Sequence, residues 1–443
     1  MSLPIVAVVG RPNVGKSTFF NKIIGTRISI VEDTPGVTRD RIYAEGEWIG
    51  QRFALVDTGG IEPSSTDVIL SQMREQAQIA MDMADVILFM VDGKEGLTTA
   101  DDEVAMMLRR TGKEVILIVN KIDRGTPDDG IYDFYELGLG EPIAISAANM
   151  TNLGDVLDRV VNAINDAGVA DVDDDEDITK VAIIGKPNVG KSSLVNAFLG
   201  ENRVIVSDIA GTTRDSIDSP FEYDGEQYIL IDTAGIRRRS RVNEDIEKYS
   251  VIRAIAAIER SDVCLLMIDA QDGITEQDKK IAGLAHESGK AIIVVVNKWD
   301  LIEKDNHTMD KFKRDIHQEL PFMSYAPEVF VSVKSGQRLL NIMDMVYTVA
   351  QNRAMRVRTG QLNSLIQDAM MMQPPPSDKG KRLKIYYVSQ IGIKPPLFSF
   401  QINIRDLMHF SYARYLENKI RDTFGFAGTS IKFVFRTKAD KDV

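Results

Sequence analysis

The sequence predicts two consecutive α/β domains, each a mainly parallel sheet with helices on both faces, followed by a small α+β domain. Three observations predict it. A set of short motifs occurs twice along the chain, in the same order each time. In both copies short apolar runs alternate with stretches of helical periodicity. From about Asn352 onward that alternation gives way to a different order of elements.

The repeat is read directly. Gly10-Arg11-Pro12-Asn13-Val14-Gly15-Lys16-Ser17 returns as Gly185-Lys186-Pro187-Asn188-Val189-Gly190-Lys191-Ser192. Thr38-Arg39-Asp40 returns as Thr213-Arg214-Asp215, and Asp57-Thr58-Gly59-Gly60 as Asp232-Thr233-Ala234-Gly235, each with the same shift in numbering. Asn120-Lys121-Ile122-Asp123 returns as Asn297-Lys298-Trp299-Asp300, with a shift only slightly longer. A period this long describes whole domains rather than a solenoid.

Within the first copy, 3–9 reads as a strand running into a glycine loop and a helix, and 41–57 as a hairpin. Helices are expected near 66–83, 100–110 and 153–164. The runs Val86–Val91, Val115–Val119, Val263–Ile268 and Ala291–Val296 are too short to cross a bilayer and read as buried strands of a parallel sheet. In the second copy Asp224-Gly225 signals a two-residue hairpin turn. Between the copies, 166–177 is dense in carboxylates, holds almost nothing apolar, and reads as a self-repelling linker. The expected boundaries are therefore 1–164, a linker over 165–178, 179–352, and 353–443. The last region reads as helix 361–371, strand 382–390 with Leu383, Ile385 and Tyr387 on one face, strand 397–403, a helix marked by Tyr412, Leu416, Ile420 and Phe424, and a strand marked by Ile431, Phe433 and Phe435.

Composition narrows the classes. With 44% hydrophobic and 27% charged residues the chain reads as a soluble globular protein, and its start carries no secretory pattern. The single cysteine, Cys264, lies in an apolar strand, and four scattered histidines form no metal cluster. The net charge of −12 hides an asymmetry: from Gln351 to the end there are 16 Lys and Arg against 7 Asp and Glu. An acidic body with a basic end suits contact with nucleic acid.

The motifs carry chemistry. Gly-x4-Gly-Lys-Ser between a strand and a helix wraps backbone N–H groups around phosphate oxygens, aided by the helix N-terminus. Lys16 and Lys191 would neutralise the outer phosphates, Ser17 and Ser192 would bind Mg²⁺, and Thr18 and Ser193 follow within reach of the same phosphates. Asp57 and Asp232 sit where a carboxylate can hold Mg²⁺ through water, and Gly60 and Gly235 where an N–H can sense the γ-phosphate. Asp123 and Asp300 can each accept two hydrogen bonds from guanine, where adenine offers no donor. The pattern thus predicts two sites for GTP and GDP with Mg²⁺.

These residues resemble the translation-factor-related GTPases, and the tandem layout is similar to the Der (EngA) family of bacterial double GTPases across essentially the whole chain. The resemblance implies two P-loop GTPase domains followed by a KH-like domain. It assigns Thr38 and Thr213 to Mg²⁺ and the γ-phosphate, and Ser146-Ala147 to the guanine oxygen. The second copy has Ser332-Val333-Lys334 there, with valine in place of alanine. Ile61 and Ile236 stand where Ras-like enzymes place a water-orienting glutamine; the resemblance implies a potassium ion held by Asn13 and Asn188 instead, and slow, K⁺-stimulated hydrolysis. It also implies a role in large ribosomal subunit assembly with ribosomal RNA as partner. No membrane or DNA partner is expected, and a cytoplasmic monomer is. Met408-His409-Phe410-Ser411-Tyr412 and the segment 424–429 match the KH-like module, but Gly425-x-x-Gly428 falls between a helix and a strand and reads as a turn rather than an RNA clamp. Arg382, Lys384 and Lys394 are candidate phosphate contacts. Arg237-Arg238-Arg239-Ser240-Arg241 reads either as a solvated loop or, more sharply, as a basic patch under switch control. The alternative function, a GTPase of tRNA modification, would need a further cofactor-bearing domain, for which the short C-terminal region leaves little room.

Overall fold

The computed structural model describes residues 3–25, 43–58, 69–122, 131–166, 178–200, 204–206, 218–231, 247–378 and 381–437. Residues 167–177 of the expected linker lie outside them. By contacts the chain divides into two compact units, Met1–Glu176 with Asp245–Glu259, and Asp177–Glu244 with Arg260–Val443. The segment 245–259, expected in the second GTPase domain, thus groups with the first unit, where Ala256 joins the core and Arg253 lies 3.5 Å from Asp82.

The first unit holds a six-stranded sheet in the order Tyr43–Trp48, Gln51–Asp57, Ile5–Val9, Val86–Asp92, Glu114–Asn120, Ile143–Ala144. Only the first pair is antiparallel. Every residue of Ile5–Val9 is buried, because successive side chains face opposite layers of helices. Ile5, Ala7 and Val9 pack with Met73, Ala77 and Val104 from helices Ile69–Met83 and Thr99–Leu108. Val6 and Val8 pack with Phe19, Phe20, Val156 and Val160 from helices Lys16–Gly25 and Leu153–Asp166. Burying each Val or Ile side chain in this way is worth about 1.5–3 kcal/mol. The helix Thr99–Leu108 begins at a capping box formed by Thr98 and Asp101.

The second unit repeats the plan in a seven-stranded sheet: Glu328–Phe330, Ala291–Asn297, Val263–Asp269, Thr179–Ile184, Glu226–Leu230, Ser219–Tyr223, Val204–Val206. The hairpin turns at Asp224 and Gly225, both at positive φ (53° and 84°), as the tight turn requires.

The C-terminal part of this unit runs helix Thr359–Met372, strands Ile385–Gly392 and Leu397–Ile402, helix Phe410–Phe424 and strand Lys432–Arg436. This is the expected αββαβ order, except that the start of the expected strand 382–390 goes into a separate short hairpin, Ser377–Asp378 with Lys381–Arg382, and the sheet strand begins at Ile385. Its core gathers Val388, Phe398, Phe400, Leu416, Ile420 and Phe426. One expectation is corrected. Leu383 is buried, but the register slips between Ile385 and Tyr387, and the extra residue turns Tyr387 out to 51% exposure. The Gly425–Gly428 turn docks on the GTPase sheet: the Gly428 N–H donates to the Tyr325 carbonyl at 2.8 Å, and its own carbonyl accepts from the Ile292 N–H at 2.7 Å. Beside it the Arg421 guanidinium stacks 4.3 Å from the Tyr325 ring, and Arg353 pairs with Asp262.

Candidate functional site

Each phosphate loop leaves the C-terminal end of a central strand and enters a helix, Ile5–Val9 into Lys16–Gly25 and Thr179–Ile184 into Lys191–Gly200. The second glycine of each loop is obligatory. Gly15 (φ +101°) and Gly190 (φ +103°) lie so close to the amide nitrogens of Asn120 and Asn297 that an added Cβ would stand 2.2 and 2.4 Å from them. Asn13 and Asn188 hold the loop apex at φ +63° and +62°, a conformation asparagine tolerates better than most L-residues. Their neighbours Pro12 and Pro187 are half-buried, while Val14 and Val189 anchor the loops in the cores.

The two lysines adopt one geometry. Lys16 Nζ donates to the carbonyls of Gly10 and Arg11 at 2.7 and 2.6 Å, and Lys191 Nζ to those of Gly185 and Lys186 at 2.7 and 2.6 Å. Burial drives the Lys16 ammonium down to about 8, against the opposing pull of Asp57. Ser17 Oγ donates to Asp57 Oδ2 at 3.1 Å, and Thr58 Oγ1 to the Val8 carbonyl at 2.5 Å. A hydroxyl beside a buried carboxylate is a hard-oxygen donor set that fits Mg²⁺. Ser192 and Ser193 open the corresponding second helix, as Ser17 and Thr18 do the first. Thr38, Gly59, Gly60, Ile61, Asp123, Thr213, Asp232, Thr233, Ala234, Gly235, Ile236 and the arginine run 237–241 lie outside the described residues.

Asn120 and Asn297, expected in the base-reading motif, turn their side chains toward the phosphate loop. Asn120 Nδ2 donates to the Val14 carbonyl at 2.8 Å, while its Oδ1 accepts from the Ala147 N–H at 2.9 Å. Asn297 does the same with the Val189 carbonyl and the Val333 N–H, at 2.9 and 3.0 Å. Each asparagine therefore ties the phosphate loop to the Ser-Ala or Ser-Val segment. The bond to each asparagine comes from the backbone N–H of the second residue, so valine at 333 makes the same tie as alanine at 147. Ser146 and Ser332 each form an isolated antiparallel bridge, to Thr151 and Gln337. Lys121 and Lys298 both stand at positive φ, with Nζ 2.5 Å from Asp92 and Asp269. Ile122 is half-buried, whereas its counterpart Trp299 is buried against Phe312 and Phe330. A hydrogen bond from Ser332 holds the exposed Asp300 carboxyl below its ordinary range, so it is ionised at neutral pH and able to accept two donors.

Sequence reasoning missed Asp92, Asp269, Asp101 and Asp278. The signal was present, since Asp92 and Asp101 recur as Asp269 and Asp278 with the same shift as the base-reading motif. Burial works to raise the Asp92 carboxyl, but hydrogen bonds from Lys121 and the backbone of Lys94 and Glu95 outweigh it and leave it below the usual range. Asp101 takes Arg11 Nε on both oxygens, at 2.9 and 3.0 Å, and Glu95 takes Arg11 Nη1 at 2.8 Å.

Two doubly wound sheets, each with a phosphate loop, a pinning asparagine and a lysine propped on a strand-end aspartate, define a tandem P-loop GTPase. The sequence profile of the 50S ribosome-binding GTPase matches twice, over residues 5–121 and 180–298. That of the KH-domain-like C-terminal part of EngA bacterial GTPase enzymes matches residues 356–436. GTPase Der of Alkaliphilus oremlandii is 60% identical over 442 residues, covering 100% of both chains. GTPase Der of Agathobacter rectalis is 59% identical over 443 residues, again covering 100% of both. The chain belongs to the Der family, and it binds and hydrolyses GTP.

Proposed function

We propose that the protein is a GTP-driven switch in the assembly of the large ribosomal subunit, with both nucleotide sites in use. The observation that carries this reading is the matched framework in the two halves. The loop lysines donate at 2.7 and 2.6 Å in both, and the bonds of Asn120, at 2.8 and 2.9 Å, recur at Asn297 at 2.9 and 3.0 Å. The matching family's printed description as a 50S ribosome-binding GTPase and the basic C-terminal end support the ribosomal partner.

In this reading Lys16 and Lys191 leave their loop carbonyls when a triphosphate arrives, and the loop N–H groups take its oxygens. Ser17 with Asp57 and Thr38, and Ser192 with Asp232 and Thr213, would hold Mg²⁺, which would supply positive charge against the phosphates. Asp123 and Asp300 select guanine by its two donors, and the Lys121 and Lys298 stems flank the base. The N–H groups of Gly60 and Gly235 report the γ-phosphate; water attacks its phosphorus in line as the bond to the GDP oxygen breaks, giving GDP and inorganic phosphate while the water's proton passes to solvent. Without a glutamine at Ile61 or Ile236, the exposed amides of Asn13 and Asn188 would hold K⁺ beside the phosphates and raise the rate. Replacing K⁺ with Na⁺ should slow hydrolysis severalfold; equal rates would remove that role. The protein acts as a cytoplasmic monomer.

The test is co-sedimentation with large ribosomal subunits in the presence of GDP, GTP or a slowly hydrolysed analogue. Nucleotide-dependent association by the intact chain, weakened by Lys16→Ala or Lys191→Ala, is expected. Association indifferent to nucleotide and to both substitutions would contradict the switch.

A further inference from the structure

Behind each site one short turn holds cations from both motifs. In the first unit it runs from Asp92 to Gly96, closed by the Gly96 N–H on the Asp92 carbonyl at 3.1 Å. In the second it runs from Asp269 to Gly273, closed in the same way at 3.0 Å. Asp92 ends its strand directly opposite Asn120, and Asp269 directly opposite Asn297. Both carboxylates are buried, and each divides its oxygens between two tasks. Asp92 Oδ1 accepts the N–H of Lys94 at 2.9 Å, and Asp269 Oδ1 that of Gln271 at 2.9 Å, which fixes the turn. Oδ2 of each meets the lysine of the base-reading motif, Lys121 or Lys298, at 2.5 Å. Three residues on, the same turn presents Glu95 to Arg11 at 2.8 Å and Asp272 to Lys186 at 2.7 Å, both in the phosphate loops.

A lysine has a long flexible stem, and ordering it on binding costs conformational entropy. A buried carboxylate that already holds the ammonium removes much of that cost before a ligand arrives. Both lysines also stand at positive φ, 70° and 61°, a conformation that L-residues adopt rarely and that a fixed side-chain partner helps to maintain. The loop cation differs between the halves, Arg11 against Lys186, whereas the aspartate–lysine pair is the same in both. We propose that Asp92 and Asp269 are positioning residues for guanine-nucleotide binding: each presets the lysine beside it so that the stem lies where the base arrives. The inference rests on the reading above that Lys121 and Lys298 flank the base. The second acid of the turn, Glu95 or Asp272, ties the same support to the phosphate loop, so base and phosphates meet surfaces set by one element.

The test is stopped-flow release of a fluorescent GDP from the full chain, together with KM and kcat for GTP. Asp92→Asn keeps the acceptor oxygen that the turn needs and removes the charge that holds Lys121. It should release GDP about tenfold faster from one of the two sites, the loss of one charge-assisted hydrogen bond. KM should rise while kcat holds, and the melting temperature should stay at the parent's. Asp269→Asn should do the same at the other site. Lys121→Met, which keeps an apolar stem, should also release GDP faster, and combining it with Asp92→Asn should add nothing further. Additive effects, or release from Asp92→Asn that is no faster than the parent's, would overturn the positioning role. If Lys121→Met alone still releases faster in those cases, only the positioning falls; if it too releases at the parent's rate, the placing of the lysine beside the base falls with it.

Discussion

In the first half, the guanidinium of Arg11 grips both oxygens of Asp101 and reaches Glu95 as well. In the second, Lys186 stands at the same place in an otherwise identical loop, and among the described residues its ammonium meets only Asp272, at 2.7 Å. Asp278, the counterpart of Asp101, still caps its helix through one oxygen, but its buried Oδ1 has no partner among the described residues. A fork has been exchanged for a point charge, and a carboxylate that matched the fork has been left half-satisfied. The two copies keep the loop lysine and the pinning asparagine in one geometry and diverge in what holds the loop from behind.

The same pattern occurs elsewhere. Asp85 accepts the Ile5 N–H at 2.7 Å, and Asp262, its repeat, accepts the Lys180 N–H at 3.0 Å. In the second copy the other oxygen of Asp262 pairs with Arg353, which also reaches the Lys394 carbonyl. Burial works to raise the Asp262 carboxyl, but Arg353 and the Lys180 N–H hold it down. A sheet-closing aspartate of the shared plan has thereby become an anchor for the C-terminal module.

The largest effect should come from breaking what the halves share. Asn120→Ala would leave the Val14 carbonyl and the Ala147 N–H buried and unpaired, at about 1–3 kcal/mol each. Guanine-nucleotide affinity at that half should fall more than about a hundredfold, and titration with a fluorescent GDP should then count one tight site instead of two. Asn297→Ala should do the same for the other half alone.

Next in size is Arg11→Lys, which imposes the second half's support on the first. It removes the Nε–H that both oxygens of a fully buried carboxylate share, and the first unit should lose about 2 kcal/mol in denaturant unfolding. A loss below about 0.5 kcal/mol would mean the fork does little to hold the loop.

The pH response distinguishes Lys16 by its burial. Its folded-state value of about 8 lies below the ordinary lysine value of 10.5, so its burial penalty is fully present below pH 8 and is relieved as pH rises from 8 toward 10.5. Phosphate needs the charged form. Affinity at the first site should therefore fall about tenfold per unit above pH 8, with uptake of one proton on binding. Calorimetry of the Asn297→Ala variant, in buffers of different ionisation enthalpy, reads both. An affinity flat from about pH 7 to about pH 9.5 would contradict the assigned burial.

The smallest effect is the most specific. Lys186→Arg restores the fork, gives Asp278 Oδ1 a partner, and should stabilise the second unit by roughly 1 kcal/mol. A neutral or destabilising outcome would show that a water or a shift of the helix already satisfies that oxygen.

Much of this was legible in the sequence because duplication marks what matters. The common shift between the two motif sets located both phosphate loops, and the hydrophobic runs placed them at strand ends. The support was not legible, because it depends on which side chains meet across a long stretch of chain, as Arg11 and Asp101 do. Asn120 sits in a motif that speaks of the base, yet its amide faces the phosphate loop, which only the fold reveals. Tyr387 was misplaced for a local reason: one extra residue in a strand reverses an alternation that the sequence pattern presents as regular.

Two like sites, each selective for guanine, should coexist in one chain. Equilibrium dialysis of the full-length protein with labelled GDP, in the presence and absence of excess ATP, tests it most directly. Two bound equivalents that ATP leaves in place are predicted; one equivalent, or displacement by ATP, would contradict the account.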